Sequence, residues 1–483
     1  MATSDLSDWQ ESPAITASSL PRLRLLTMFR LGLFQMGLGM LSLLTLGVLN
    51  QVMISELKVP GTIAAGAIAM YQFVSPARVW FGQRSDARPI RGYHRTGYIW
   101  LGLCFQVICL FLALQVVWQL GHSLHVSSQF EAIVAPVWTL ESTAWSVLLA
   151  CIFALYGLCI SASSTPFTAL LVDVSDEDNR SKLVGIVWSM LMVGIVVGAI
   201  TGERLLAGLT PETLQSGVNR LFMIVPLAVL CLGFIATVGI EKKYSRYASR
   251  STLEGREDQI TLNTALKVLT ASRQTGFFFA FLLVMTLSLF LQQPILEPYA
   301  REVFGMTLGE SAGLNKYWGY GILTGMAIAG FLIVPRLGKQ STARLGCLFT
   351  AASFLLVILS GLTQNPSLLK AAVGVFGVAS GILTNGAVSL MLDLTAAETA
   401  GTFVGAWGLA QALSQASATV AGGALLDLGR SLFPQPVFAF GLVFACQTLG
   451  MLLAVVILNQ VNVLEFQENA KRAIASVLEQ EIT

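Results

Sequence analysis

A chain of 483 residues that is 54% apolar and only 12% charged is no ordinary soluble domain, since such domains carry roughly 25% charged residues. Its net charge of +2 gives no signal for a nucleic-acid partner; the placement of the charges carries the information. Apolar stretches of about 20 residues, enough to cross a bilayer as a helix, recur along the whole length, so the composition describes an all-α polytopic membrane protein in a lipid bilayer.

Segment 1–29 is polar and holds Asp5, Asp8 and Glu11, which argues against a cleaved signal peptide and against a transit peptide. Twelve transmembrane helices are then expected, near 30–54, 61–81, 96–118, 145–172, 182–202, 220–240, 275–296, 312–334, 344–363, 368–392, 402–426 and 436–458. They divide into an N-terminal six-helix bundle, 30–240, and a C-terminal one, 275–458, joined by a basic linker at 241–274. A tail, 459–483, follows; it spaces Val463, Phe466, Ala470, Ile474, Val477 and Ile482 as an amphipathic helix would.

With both termini in the cytoplasm, 22 of the 29 Lys and Arg residues fall in inside segments, a strong positive-inside bias. The outer loop near 119–144 has no Lys or Arg and is flanked by Trp118, Trp138 and Trp145, expected as interface anchors. All seven cysteines fall in apolar spans without metal spacing and read as packing residues, and the three histidines, His94, His122 and His125, are placed in loops.

One pattern occurs twice, about 220 residues apart. Leu171-Val172-Asp173 ends an apolar run and Val184-Gly185 opens the next; Met391-Leu392-Asp393 and Val404-Gly405 repeat this. Two pseudo-symmetric halves side by side in a membrane are the layout of a transporter-type scaffold. Between spans 2 and 3 runs Gly82-Gln83-Arg84-Ser85-Asp86-Ala87-Arg88-Pro89-Ile90-Arg91-Gly92-Tyr93-His94-Arg95. A glycine lets the first helix turn, and the arginines are able to grip carboxylates at a neighbouring helix end. Together with twelve spans and a parallel repeat, this loop resembles that of the major facilitator superfamily, where it latches the halves on the cytoplasmic side. A negative charge is disfavoured at a helix C-terminus. Asp173 and Asp393 are therefore expected to pair with the basic links, Asp173 with Arg84 or Arg91 for instance, and Arg84, Asp86, Arg91, Asp173, Arg180 and Asp393 form the expected cytoplasmic latch. Gly194, Gly198 and Gly202, like Gly401 and Gly405, recur every fourth position and are expected to pack at the interface between halves.

Polar residues inside the spans are few, which makes them either interhelical hydrogen bonds or binding-site candidates. They are Gln35, Asn50, Gln51, Gln106, Gln292, Gln293, Asn385, Gln411 and Gln415, with Glu297 at the outer end of span 7. Pro294 is expected to break that helix and free a carbonyl. No Asp or Glu lies in the middle of a span, no Walker A sequence points to ATP, and no catalytic nucleophile or metal-ligand set stands out.

Leu49-Asn50-Gln51-Val52-Met53-Ile54-Ser55-Glu56-Leu57-Lys58-Val59-Pro60, Ser75-Pro76-Ala77-Arg78, Gly82-Gln83-Arg84-Ser85-Asp86 and Leu296-Glu297-Pro298-Tyr299 resemble the PucC/LhaA family. This is the bacteriochlorophyll delivery branch of the major facilitator superfamily, found in phototrophs. The resemblance runs from about residue 20 to 460. It implies assembly of light-harvesting or photosystem complexes in a thylakoid or intracytoplasmic photosynthetic membrane, with pigment-binding subunits as partners and chlorophyll or bacteriochlorophyll as cargo. With no histidine expected in a span, Gln35, Asn50, Gln51, Gln292, Gln293, Glu297 and Asn385 are the candidates to hold pigment or substrate. A small-solute transporter working by alternating access, and a scaffold that carries nothing, are the rival readings.

Overall fold

The computed structural model describes residues 23–126, 138–175, 177–210, 212–245, 273–393 and 400–462. These form helices only, apart from one isolated bridge between Ile90 and Tyr93. The helices make twelve passages in chain order, here α1 to α12. They are α1 (Leu25–Glu56), α2 (Gly61–Phe73 continued by Ala77–Ala87), α3 (Thr96–Val126), α4 (Leu140–Val174), α5 (Glu177–Leu205) and α6 (Leu214–Thr237). There follow α7 (Arg273–Phe290 continued by Leu296–Phe304), α8 (Leu308–Leu337), α9 (Lys339–Leu362), α10 (Pro366–Asp393), α11 (Ala400–Leu432) and α12 (Pro436–Leu458). Among the described residues nine helices are long and apolar enough to cross a membrane. Of the rest, α7 is shorter, α2 is broken at Val74–Pro76 and ends in charged residues, and α11 is rich in Gly, Ala, Ser and Gln. Most of the expected linker, residues 246–272, and the amphipathic tail from 463 lie outside the described residues.

Small residues set the packing, because helices in lipid gain from close backbone approach rather than from expelling water. The arrangement repeats between the halves. In the first half Gly102 of α3 lies against Cys159 and Ser163 of α4, and Gly157 of α4 meets the Tyr71 carbonyl of α2. In the second half Gly346 of α9 lies against Leu383 of α10, and Gly377 and Gly381 of α10 meet α8 at Trp318–Met326. The two halves touch along α2 with α11 and along α5 with α8.

Three expectations are corrected. Gly194 and Gly198 do not face the other half: a Cβ on either would press on Met36 or Met40 of α1, in the same bundle. Their stripe serves the α1–α5 contact; the side-chain environments of Gly401 and Gly405 lie outside the described residues. Trp118 is no interface anchor: it is buried, and its Nε1 donates to Asn219 Oδ1 of α6 at 3.0 Å. Finally, α3 continues two turns past its expected end, so His122 and His125 are helical rather than in a loop, His122 exposed.

Candidate functional site

For reference, the bundle end carrying the turns at 57–60, 206–213, 305–307, 363–365 and 433–435 is called outer, following the charge bias. At the opposite end, the link before α3 is a clasp within the N-terminal half. The Arg95 guanidinium, 5% exposed, pairs with Asp173 of α4 at 2.9 Å and donates to Ser85 Oγ at 2.7 Å. Glu241, following α6, accepts from the backbone N–H groups of His94, Arg95 and Thr96 and from the Thr96 hydroxyl. A carboxylate there satisfies the free donors at the start of α3 and suits its positive end. Arg30 of α1 in turn donates to the Ile235 and Val238 carbonyls at the close of α6.

Asp173 pairs with the basic link before α3, but with a different arginine from the two expected. Asp173 pairs with Arg95, neither Arg84 nor Arg91, because Arg95 stands at the first turn of α3 against the end of α4 while the other two are exposed. Arg84 lies over the Trp80 ring, and Arg91 takes a left-handed backbone (φ 52°) in the turn before α3. The side chains of Asp86, Arg180 and Asp393 lie outside the described residues. At the same end of the second half, Gln340 donates to the Leu458 and Val461 carbonyls at the end of α12.

The outer end joins the two halves. Both leading helices lose regular α geometry at matching places. α1 is π-helical over Leu43–Leu49 and Val52–Glu56, and α7 is interrupted at Leu291–Ile295, where Pro294 cannot continue the ladder. Interruptions in corresponding helices of two repeats point to a functional site. Asn50 and Gln51, both 0% exposed, reach across from α1. Asn50 Nδ2 donates to the Pro294 carbonyl at 2.5 Å, and Gln51 Nε2 donates to Ser311 Oγ of α8 at 2.5 Å. Glu297, 4% exposed, accepts from Asn315 Nδ2 at 2.7 Å. Nearer the surface Glu56 pairs with Arg301, Glu203 with Lys316 and Arg430 with Glu302, the first two across the halves. Asp427 of α11 caps α2, accepting from Gly61 N (2.8 Å), Thr62 N (2.7 Å) and Thr62 Oγ1 (2.6 Å). Gly61 and Gly423 allow this approach: a Cβ on Gly61 would stand 3.0 Å from the Gly423 carbonyl oxygen.

Thus the structure gathers Asn50, Gln51 and Glu297 at one junction, with Gln293 half-buried on the break in α7. Gln292 is half-buried beside it, whereas Gln35 is buried further along α1, and Asn385 is tied to the Met326 carbonyl of α8 at 3.2 Å. A second polar layer lies midway along the helices. Tyr71 and Gln72 of α2, Gln106 of α3 and Tyr156 of α4 meet there, and Gln72 Nε2 reaches Gln415 Oε1 of α11 at 3.5 Å. The oxygens Gln72 Oε1, Gln106 Oε1 and Ser414 Oγ are buried without a hydrogen-bond partner. Tyr71, Gln72, Tyr156, Ser311, Asn315 and Asp427 were not singled out from the sequence. Gln72 and Asn315 are amides inside expected spans and carried the same signal as the residues chosen.

Twelve helical passages in two repeated halves, meeting along α2–α11 and α5–α8, define an integral membrane protein of the major facilitator fold. A bacterial homologue of the iron transporter ferroportin in its inward-facing state superposes with a TM-score of 0.65, covering 91% of this chain and 99% of that one at 14% identity. The chain belongs to the PUCC protein family, whose model matches residues 48–466. It is 30% identical to the "Bacteriochlorophyll synthase 44.5 kDa chain" of Rhodobacter capsulatus, over 89% of this chain and 94% of that relative. It is 28% identical to the "Protein PucC" of the same organism, over 91% and 92%.

Proposed function

We propose that the chain is an assembly factor for light-harvesting or photosystem chlorophyll–protein complexes, binding or handing over chlorophyll or bacteriochlorophyll in a photosynthetic membrane. Family membership over residues 48–466 carries this reading, supported by a relative named for bacteriochlorophyll synthesis. We read the chain as a handler of pigment and of pigment-binding subunits rather than as a catalyst, despite that relative's synthase name. The mid-depth layer suits such cargo better than the outer junction. Its amide oxygens, Gln72 Oε1 and Gln106 Oε1, lack donors, and a chlorophyll magnesium accepts a neutral oxygen ligand. Asn50 has its amide nitrogen committed to α7 and Gln51 has its own committed to α8, so both serve first to hold the halves together.

The test is the absorption spectrum of the protein purified from its native membrane in mild detergent. A stoichiometric red band that weakens in Gln72→Leu and Gln106→Leu supports pigment handling at this layer. A colourless, folded preparation rejects stable binding. A transporter of small solutes is the second reading, favoured by the fold. Solute uptake into liposomes, lost in Gln293→Leu, would support it.

A further inference from the structure

The outer junction contains more acceptors than donors. Asn50 Oδ1, Gln51 Oε1, Gln293 Oε1 and Glu297 Oε2 are all buried and accept from no described group. Their neighbours fix the orientation. Ser311 Oγ donates to the Thr307 and Leu308 carbonyls, so it must accept from Gln51, which leaves the Gln51 oxygen bare. Asn50 spends its nitrogen on Pro294 in the same way. The side chains form one connected ring, running from Gly47, Asn50 and Gln51 of α1 through Pro294 and Glu297 of α7 to Ser311 and Asn315 of α8. Gly47 gives the carboxylate its room: a Cβ there would stand 3.3 Å from Glu297 Oε1. No described Lys or Arg pairs with Glu297, the nearby cations being taken by Glu56, Glu203 and Glu302.

A buried carboxylate with no described cation, in a junction that also buries unpartnered amide oxygens, is costly unless something positive joins it. We propose that this ring binds one small monovalent cation, of sodium's size, between the two halves. Hard cations take carboxylate, amide and backbone oxygens. The π-helical stretch of α1 and the break in α7 supply backbone carbonyls of the kind that coordinate such ions in interrupted membrane helices. One net negative charge balances one positive charge; a divalent ion would leave an excess in the membrane interior. The ion bridges α1 of the first half and α7 of the second, so it stabilises the closed outer end. This goes beyond the pigment reading and does not depend on it.

The experiment uses the full chain in detergent, exchanged into choline chloride and titrated with sodium chloride. The expected result is a melting temperature that rises and saturates with sodium but not with choline, and retention of one radioactive sodium ion per chain. Glu297→Gln, monodisperse on gel filtration, should lose both responses. An equal sodium response in Glu297→Gln overturns the proposal. So does melting that follows pH while sodium has no effect, which would give the positive charge to a proton. If Glu297→Gln does not fold, sodium retention by the unmodified chain decides alone, and no retention overturns the proposal.

Discussion

Single residues at the two ends of the bundle do different work, and their substitutions should read differently. Removing Asp173 breaks the buried Arg95–Asp173 ion pair, which costs up to about 3–5 kcal/mol in comparable sites. Asp173→Ala should therefore lower the yield and the melting temperature sharply, whereas Arg91→Ala, at an exposed turn, should change neither by much. Glu241→Ala frees three backbone donors at the head of α3 and should cost about 1–2 kcal/mol, the scale of a lost N-cap. At the outer end Asn50→Leu strands the Pro294 carbonyl, a loss of about 1–3 kcal/mol measured as a fall in melting temperature. The sequence named Asp173 and Asn50 because charge and amides are rare in apolar spans. It did not name their partners: Arg95 is one of five arginines between 78 and 95, and only the approach of α3 to α4 selects it.

Among the described contacts between halves, α2–α11 is the narrowest place. Gly61 and Gly423 meet there with no room for side chains, and Asp427 holds the α2 N-terminus one turn further along. Gly423→Leu must part the two helices at a cost of about 1–3 kcal/mol. It should also expose Ser55, which is buried beneath the junction. The check is Ser55→Cys in a background without the seven native cysteines: its reaction with a membrane-impermeant maleimide should be slow alone and faster with Gly423→Leu added. The helices themselves were legible from hydropathy to within a turn or two at most ends. The exceptions have causes. The chain from α3 to α4 is shorter than expected because the capping box of Thr139 and Ser142 starts α4 at Leu140. The break in α7 follows from Pro294, as the sequence implied, but the π-helical run in α1 has no proline to announce it.

For the whole molecule, the ion pairs at the outer end act as a clasp between halves. Glu56→Arg should lower the melting temperature, and Glu56→Arg with Arg301→Glu should recover part of it; a coupling of roughly 0.5–3 kcal/mol is expected for residues in direct contact. If opening at this end belongs to the working cycle, weakening the clasp should also raise the labelling of Ser55→Cys. Rates unchanged by Glu56→Arg would mean that Asn50, Gln51 and Asp427 hold the end shut without it. The latch expected between halves at the other end is, in its described part, a fastening inside one half: Arg95, Asp173, Glu241 and Arg30 all tie helices of the N-terminal bundle to one another.

What the sequence determined by itself follows from chemistry local to the chain. The lack of charge sets the bilayer as solvent, the length of the apolar runs sets the helices, and the repeated Asp motif implies two like halves. The Leu49–Pro60 run already pointed to the family to which the chain belongs. What only the tertiary structure decided depends on which faces meet. It turned Gly194 and Gly198 of α5 toward α1, chose Arg95 for Asp173, and drew Asn50, Gln51 and Glu297 from two distant stretches to one junction while leaving Gln35 and Asn385 elsewhere. Apolar spans look alike along the chain, so hydropathy places each helix in the membrane but does not say which neighbour its few polar groups will find.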